Sequence, residues 1–306
     1  MDNPSPGAGG RTGRPAAQRL PPWFKVRRPG APNYIRLKAL LRDAELHTVC
    51  EEAKCPNIGD CWGYGTATFL ILGDTCTRRC GYCAIQSGRP HTLDVLEPDR
   101  VARAVQRLGL RHAVVTSVAR DDLSDGGASV FAATIRRIRA RCPETRVEVL
   151  IPDFKGSAEA LETVLRARPD VLNHNIETVP RLYRQVRPGG RYARSLELLA
   201  RAKDLVPDLV TKSGLMVGLG ESWEEVEEVL RDLRAVACDV LTVGQYLQPS
   251  PAHLPIARFW PPEAFAQLRE QALALGFRHV EAGPLVRSSY RAHEHAVPAD
   301  GAPRPA

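Results

Sequence analysis

Six short apolar runs recur along the chain, and each is followed by a segment with helical spacing. The runs are rich in β-branched residues and nearly continuous, as expected for strands covered on both faces. They span 66–72, 112–117, 147–151, 171–175, 210–217 and 240–246. Apolar residues recur at helical spacing over 98–108, 128–138, 158–165, 195–205, 223–236 and 262–275. Strict alternation of strand and helix predicts an α/β fold on a parallel sheet.

Polar residues follow most of these predicted strands directly, among them Asp74, Ser117, Asp153 and Asn175. In barrel-like βα folds the carboxyl ends of the strands carry the active site. No G-x-G-x-x-G follows the first strand, which disfavours a dinucleotide-binding sheet. We therefore predict a partial (β/α)6 TIM-like barrel, with N-terminal and C-terminal extensions closing over its mouth.

The composition is that of a globular protein, with 43% hydrophobic and 25% charged residues among 306. No run of about 18 apolar residues occurs, so we expect no transmembrane helix. The first residues are rich in Pro and Gly and lack the apolar core of a secretory signal. These features predict a cytoplasmic protein.

We expect four parts along the chain. They are a disordered arm over 1–33, an extension carrying three cysteines over 34–65, the barrel over 66–282, and a C-terminal segment over 283–306 that frays at its end. The net charge is +7, from 42 basic and 35 acidic residues. A solvated basic face explains this charge most simply, and an acidic protein partner is the alternative. We expect neither a nucleic-acid nor a membrane partner.

Six of the eight cysteines fall between Cys50 and Cys83. They form a first triplet, Cys50/Cys55/Cys61, and a second triplet, Cys76/Cys80/Cys83. Clustered cysteines in a chain of this size without an export signal indicate metal binding or redox chemistry rather than disulfides. Cys142 and Cys238 lie apart from both triplets and are interpreted as ordinary small buried residues.

The second triplet has the spacing C-x3-C-x2-C, with Tyr82 before the last cysteine, just past the first predicted strand. Three thiolates can hold three irons of a four-iron cluster and leave the fourth iron open. An open coordination position is typical of a catalytic metal, whereas structural sites are closed. A zinc site with His91 as the fourth ligand is the alternative.

The first triplet has the spacing C-x4-C-x5-C, which matches none of the common ferredoxin patterns. Turn-forming residues separate its cysteines, as suits a loop wrapped around a cluster. By itself this triplet is a weak signal, because three thiolates again need a fourth ligand or an open iron.

The motif C-x3-C-x-aromatic-C resembles the signature of the radical S-adenosylmethionine (SAM) superfamily. Beyond the two triplets, the chain contains the motifs TSVARDDLSDGG (116–127), NHNIET (173–178), KSGLMVGLGE (212–221), QYLQPS (245–250) and GPLVRSSY (283–290). With both triplets and these motifs, the chain from Cys50 to Tyr290 resembles the lipoyl synthase family.

This resemblance implies two 4Fe–4S clusters and SAM as cofactors. The open iron of the second triplet would bind SAM, which is split to methionine and a 5′-deoxyadenosyl radical. The first triplet would hold an auxiliary cluster that is the sulfur source. A serine of the RSSY motif would be its fourth ligand. Position in the motif favours Ser289 and leaves Ser288 open.

The reaction so implied inserts two sulfur atoms, at C6 and C8 of an octanoyl chain on a lysine. The chain's partners would be a lipoyl carrier domain or H-protein as substrate, a reductant such as ferredoxin or flavodoxin, and an iron–sulfur carrier that rebuilds the auxiliary cluster. The catalytic residues would be Cys76, Cys80, Cys83 and Ser289.

Further residues at predicted strand ends are candidates for SAM contacts. They are Ser117, Arg120, Asn175, Glu177, Arg194, Gly218 and Gly220. Two alternatives remain, a different sulfur-inserting radical SAM enzyme of the biotin synthase kind, and a non-catalytic iron–sulfur electron carrier. A carrier would need closed clusters with four cysteines, which two triplets do not supply.

Overall fold

The computed structural model describes residues 19–26, 30–63, 67–91 and 93–292. Its strands are β1 (His47–Thr48), β2 (Thr68–Ile71), β3 (Thr75–Cys76), β4 (Gln86–Ser87), β5 (His112–Ser117), β6 (Arg146–Leu150), β7 (Val171–Asn173), β8 (Val210–Val217), β9 (Val240–Gln245) and β10 (His279–Gly283). Its α-helices are α1 (Pro32–Asp43), α2 (Val49–Glu52), α3 (Ile58–Gly63), α4 (Glu97–Leu108), α5 (Ala128–Arg141), α6 (Ala158–Leu165), α7 (Tyr183–Val186), α8 (Tyr192–Leu205), α9 (Trp223–Ala235) and α10 (Pro262–Ala274).

One sheet organises the molecule, in the order β1-β2-β5-β6-β7-β8-β9-β10. All neighbours pair in parallel except β1, which is antiparallel to β2. Spatial order follows chain order, and helices connect successive parallel strands. Within the described residues β2 and β10 do not pair, so the sheet is open, as in a partial barrel. The predicted α/β class is confirmed.

Each predicted strand and helix has a counterpart in the structure. The bounds of β5, β8 and α6 match the prediction to the residue. The sheet also has a seventh parallel strand, β10, which the sequence analysis did not predict. Only Val280 is buried within it, so it lacks the continuous apolar run that revealed the other strands.

Burial on both faces accounts for the strand pattern. All four residues of β2 are buried, and so are all six of β9. The helices that cover the sheet have well-defined ends. At α9, Ser222 and Glu225 form a reciprocal capping box. At the end of α4, Gly109 adopts a left-handed conformation with φ of 62°.

Parts of the predicted terminal segments lie outside the described residues. Of the arm expected over 1–33, only 19–26 and 30–33 are described, and α1 already begins at Pro32. The tail expected to fray over 296–306 is not described. In the described part of the chain, no helix has the length and apolar character needed to cross a membrane.

Candidate active site

The second triplet lies at the carboxyl end of the sheet. Cys76 ends the short strand β3, and Cys80 and Cys83 are in the loop that follows. The Thr77 amide donates to the carbonyl of Ala119 at 3.0 Å, and the Ala119 amide donates to Cys76 Sγ at 3.3 Å. The start of the cysteine loop is thereby attached to the chain just beyond β5.

Two other parts of the chain hold the middle of this loop through Gly81. The Gly81 amide donates to the Val186 carbonyl at 2.9 Å, and the Gly81 carbonyl accepts from the Leu254 amide at 3.0 Å. A Cβ atom at Gly81 would lie 2.8 Å from the Leu254 side chain and 3.2 Å from the Gln185 carbonyl oxygen, so a larger residue would require these neighbours to shift. The His253 ring lies 2.9 Å from the carbonyl of Cys83. The loop is therefore held on several sides.

The thiols of the second triplet interact with one another. Burial raises the pKa of Cys80 to about 11. The positive charge of Arg187 opposes this increase, and Cys76 adds to it. Burial likewise raises the pKa of Cys83 to about 12, and Cys80 and Cys76 add to it. Three soft donors in one partly buried place suit an iron–sulfur cluster, whose binding would drive their deprotonation.

The first triplet is built on two short helices. Cys50 lies in α2, Cys61 lies in α3, and Cys55 is in the turn between them. The Cys55 amide donates to the Cys50 carbonyl at 3.1 Å, and the Cys61 amide donates to the Asn57 carbonyl at 2.9 Å. Burial raises the pKa of Cys50 to about 11 and that of Cys61 to about 12, with Cys55 contributing to both. This set of three neighbouring thiols also fits a cluster.

The C-terminal segment packs against the first triplet. Asn57 Nδ2 donates to the carbonyl of Leu285 at 2.6 Å. Burial raises the pKa of the Cys55 thiol, and the positive charge of Arg287 opposes that increase. A Cβ atom at Gly244 would lie 2.1 Å from the Val286 carbonyl oxygen, so this segment lies directly against β9.

The two serines of the RSSY motif have different surroundings. Asn175 Nδ2 donates to Ser288 Oγ at 3.0 Å. The Ser289 carbonyl accepts from the Ala292 amide, while the Ser289 hydroxyl has no hydrogen bond among the described residues. The motif therefore lies between the first triplet and the end of β7, and the Ser289 hydroxyl is available to a ligand.

Glu177 has a strained backbone at the end of β7. Its φ of 70° is left-handed, which is uncommon for a residue with a side chain. Backbone hydrogen bonds to Gly214 and from Met216, each 2.9 Å, hold it there. Burial raises the pKa of the Glu177 carboxyl, opposed first by Arg187 and then by Tyr82. Such strain is concentrated at functional sites.

Two polar atoms without partners in the described chain lie at or just beyond the ends of β5 and β7. Ser117 Oγ and Asn175 Oδ1 are buried atoms without a hydrogen bond among the described residues. A Cβ atom at Gly214 would lie 2.6 Å from Asn175 Oδ1, so the glycine makes room for this amide. Because buried polar atoms are normally hydrogen-bonded, these two positions suit a polar ligand.

Two predicted SAM contacts already have partners within the chain. The Arg120 guanidinium binds the carboxylate of Asp122 at 2.9 Å and the carbonyl of Leu72 at 3.3 Å. Arg194 Nη1 binds Asp153 Oδ2 at 3.1 Å. Their assignment to SAM remains a prediction, and these contacts compete with it.

Gly218 and Gly220 lie in the turn before α9. Their φ angles are 101° and 110°, which glycine adopts freely. A Cβ atom at Gly218 would lie 1.9 Å from Gln245 Nε2 and 2.7 Å from the carbonyl oxygen of Arg258. The close approach at Gly218 is therefore made by the chain itself. Contacts of either glycine with SAM remain predictions.

Arg187 is buried beside the second triplet and was not predicted as a site residue from the sequence. Its Nη1 donates to the carbonyl of Asn175 at 3.0 Å and to the hydroxyl of Tyr183 at 3.1 Å. No carboxylate forms an ion pair with it within the described ranges, although its charge acts on Glu177 and Cys80. An arginine before a Pro-Gly-Gly turn is not distinctive in sequence, so only the structure identifies this cation.

The zinc alternative receives no support from the arrangement. Among the described residues, no three His, Cys, Asp or Glu side chains converge as ligands of a single metal ion. In a four-iron cluster each thiolate binds a different iron, so the three ligands need not converge on one point.

Fold and site together define the class as that of radical SAM enzymes. The superfamily model matches residues 70–233. Methylornithine synthase (PylB) has the same fold, with a TM-score of 0.53 and 15% identity over 70% of each chain. HydG, a maturase of the [FeFe]-hydrogenase, aligns with a TM-score of 0.52 and 14% identity over 85% of this chain and 63% of that one.

Sequence comparison gives the particular family. A model described as the N-terminal domain of lipoyl synthase matches residues 10–55. The lipoyl synthase of Rubrobacter xylanophilus is 60% identical over 93% of this chain and 87% of its own length. The lipoyl synthase of Roseiflexus sp. is 60% identical over 90% of this chain and 92% of its own length. The chain belongs to the lipoyl synthase family.

Membership of this family confirms several expectations. The chain is an enzyme of the radical SAM class and uses SAM and 4Fe–4S clusters. Its substrate is an octanoylated protein. The biotin-synthase-like and electron-carrier alternatives are thereby set aside.

Proposed function

We propose that the second triplet binds the cluster that cleaves SAM, and that the first triplet binds the cluster that supplies both sulfur atoms, for C6 and C8 of the octanoyl chain. The observation that carries this division is the C-terminal segment. It packs on the first triplet through Asn57 and Leu285, whereas the second triplet is attached to the barrel loops. The two sets of thiols are thus held by different structures.

In the SAM site, Cys76, Cys80 and Cys83 would hold the cluster. With SAM bound, this cofactor pair supplies a radical able to remove hydrogen from an unactivated carbon. Arg187 fits the SAM carboxylate better than Arg194, because Arg194 is engaged by Asp153. A carboxylate would give the buried Arg187 charge a counterion.

The remaining polar groups of the site fit the rest of SAM. Glu177 would accept from the amino group. Ser117 Oγ and Asn175 Oδ1, both without partners among the described residues, would hydrogen-bond the ribose hydroxyls. Buried strands beneath the site would exclude water from a reactive radical.

At the first triplet, Ser289 would be the fourth ligand, because the Ser288 hydroxyl is engaged by Asn175. A hard oxygen ligand is a poor match for an iron–sulfur cluster and would leave easily. That property suits a cluster that gives up its sulfur.

The partners proposed are a lipoyl carrier domain or H-protein as substrate, a reductant such as ferredoxin or flavodoxin, and an iron–sulfur carrier for rebuilding the cluster. All eight cysteines are free thiols. This supports a reducing compartment, and we propose the cytoplasm.

Anaerobic reconstitution with iron and sulfide, followed by SAM, reductant and an octanoyl-lysyl peptide, tests the proposal. We expect 5′-deoxyadenosine and a peptide whose mass has increased by two sulfur atoms. Protein loaded with both clusters that forms no 5′-deoxyadenosine would contradict the assignment of the second triplet. Isotopically labelled sulfide, introduced only during reconstitution, should appear in the product.

A further inference from the structure

The rim of the sheet around the second triplet is strongly basic. Three segments form this part of the rim, 73–91 with the triplet itself, 177–191 and 246–261. Hydrogen bonds through Gly81 join the first segment to the other two. Together the three segments contain eight arginines and two carboxylates, whereas the whole chain has 42 basic and 35 acidic residues. The adjoining segment 118–127, joined to the triplet loop at Ala119, adds one arginine and three aspartates, all of which have partners within the chain. Positive charge is therefore concentrated where substrate must enter.

The two carboxylates do not neutralise the exposed part of this charge. Asp74 accepts from the hydroxyl of Thr75. The Glu177 carboxyl interacts electrostatically with the buried guanidinium of Arg187. Four of the eight arginines have partners within the chain, namely Arg78, Arg181, Arg187 and Arg258.

The other four, Arg79, Arg89, Arg184 and Arg191, are here named the rim arginines. All four are exposed. Within the part of the chain that the structure describes, none of their guanidinium groups has an ion pair or hydrogen bond. Exposed charges of one sign around a cleft create a field that attracts a partner of opposite charge.

Exposed arginines elsewhere on the surface are only partly paired. Arg103 and Arg141 both pair with Asp99, and Arg166 pairs with Glu162, whereas Arg136 and Arg137 of α5 have no ion pair or hydrogen bond among the described residues. What distinguishes the rim arginines is therefore their position around the second triplet.

We propose that the rim arginines are the docking surface for an acidic face of the octanoylated carrier protein. This inference rests on the proposed function. A protein-bound octanoyl chain must reach the second triplet, so the carrier surface around its modified lysine must cover this rim. Exposed guanidinium groups there would accelerate encounter and orient the carrier, and contribute less to affinity once bound.

The test compares three forms of the reconstituted enzyme. They are wild type, Arg89→Glu/Arg184→Glu at the rim, and Arg136→Glu/Arg137→Glu on the exposed face of α5. The two double variants make the same change in charge. Each is assayed with an octanoylated carrier domain and with a neutral octanoyl-lysyl peptide, at low and at high ionic strength. Carrier binding is also measured by fluorescence anisotropy.

At low ionic strength we expect the rim variant to raise KM for the carrier by about tenfold, and salt to reduce that difference. Peptide kinetics should stay within about twofold of wild type, as expected for a charge that steers only the protein partner. The α5 variant should match wild type with both substrates.

An equal rise in carrier KM for the α5 variant would overturn the proposal, because position would then not matter. An equal loss with the peptide would overturn it too. Weaker binding of RNA or anionic vesicles, with unchanged carrier binding, would assign the rim to another partner. Failure of fully loaded wild type to modify the peptide rejects the proposed function instead, and anisotropy still measures docking in that case.

Discussion

The two cysteine triplets have equal numbers of thiols but different supports. The second triplet spans 76–83, and its loop is attached to the chain at Ala119, Val186 and Leu254. Those anchors all belong to connections at the carboxyl end of the sheet. The first triplet contacts the C-terminal segment through Asn57 and Leu285, which are 228 residues apart along the chain.

This difference has a mechanical consequence. A loop attached to a sheet is positioned once the sheet has folded, and opening it would break the backbone hydrogen bonds that attach it. A site completed by a distant segment can lose that segment while the sheet stays intact. The first arrangement suits a cluster that must survive each turnover. The second suits a cluster that is taken apart and rebuilt.

Removing one thiol from each triplet should give the largest contrast. We expect Cys80→Ala to abolish 5′-deoxyadenosine formation, because the SAM-binding cluster is lost. Cys50→Ala should retain SAM cleavage and lose sulfur insertion. Chromatography of 5′-deoxyadenosine and mass spectrometry of the peptide measure the two steps. Dithiolated product from Cys50→Ala would show that the sulfur comes from elsewhere.

The sheet beneath the second triplet contains a buried ionic group that can be broken. Glu148 is fully buried on β6, 2.8 Å from Lys212 Nζ and 3.1 Å from His112 Nε2. Glu148→Gln should lower the free energy of unfolding by about 3–5 kcal/mol, because Lys212 stays buried without its counterion. Glu148→Gln/Lys212→Met should recover most of the loss. Urea titrations at pH 7 measure the free energy of unfolding of both variants. Equal destabilisation of the single and the double variant would contradict this account.

The same group predicts a dependence on pH. Burial alone raises the pKa of Glu148, but Lys212 and His112 outweigh it and lower the pKa to about 2. The folded pKa is thus below the ordinary value, so the stabilisation is present above about pH 4.5 and is lost as pH falls toward 2. In urea titrations between about pH 4.5 and pH 2, the wild type should lose the stabilisation that comes from ionised Glu148. The Glu148→Gln variant lacks this carboxyl and should not show that loss.

Arginine substitutions test which arginine binds the SAM carboxylate at the second triplet. We expect Arg187→Gln to weaken SAM binding by about 10–100-fold, the value of a charged hydrogen bond lost in a buried site. Arg194→Gln should have a smaller effect, since its charge is already used by Asp153. Calorimetric titration of SAM into the reconstituted protein compares them. The reverse order would favour Arg194 as the contact of the SAM carboxylate.

Gly244 offers a way to move the C-terminal segment and leave the second triplet in place. Gly244→Ala would place a methyl group 2.1 Å from the Val286 carbonyl oxygen, so the segment must shift. We expect sulfur insertion to fall by about tenfold, since small misplacements at a reacting centre are costly, with SAM cleavage retained.

Gly88→Ala is the matched control for Gly244→Ala. Its Cβ atom would meet the Thr75 side chain at 3.4 Å, an ordinary contact next to the second triplet. We expect both SAM cleavage and sulfur insertion to be unchanged in this variant. Equal loss of the two activities in Gly244→Ala would mean that the two triplets are not supported independently.

Much of the fold could be predicted from local patterns. Strands β5 and β8 are buried along most of their length, and their bounds could be predicted to the residue. Strand β10 was not predicted, because it is defined by pairing with β9 at the edge of the sheet and not by an apolar run of its own. Periodicity reports how a segment is covered, and edge strands are covered incompletely.

The candidate site divides in the same way. The six cysteines could be identified from spacing, because ligand type and short separation are properties of the sequence. The buried arginine that has no ion pair could not be identified. Arg194 and Arg187 both lie in the connection between two predicted strands. Only packing pairs Arg194 with Asp153 and buries Arg187 without an ion pair among the described residues.

The sequence by itself determined the class of fold, the two triplets and the family, because alternation, ligand chemistry and motif order are all local in the chain. The tertiary structure decided how the triplets are supported and which charges remain unpaired. Electrostatic pairing depends on distances of a few ångströms. Such distances arise only when segments far apart in sequence, such as Asn57 and Leu285, come together.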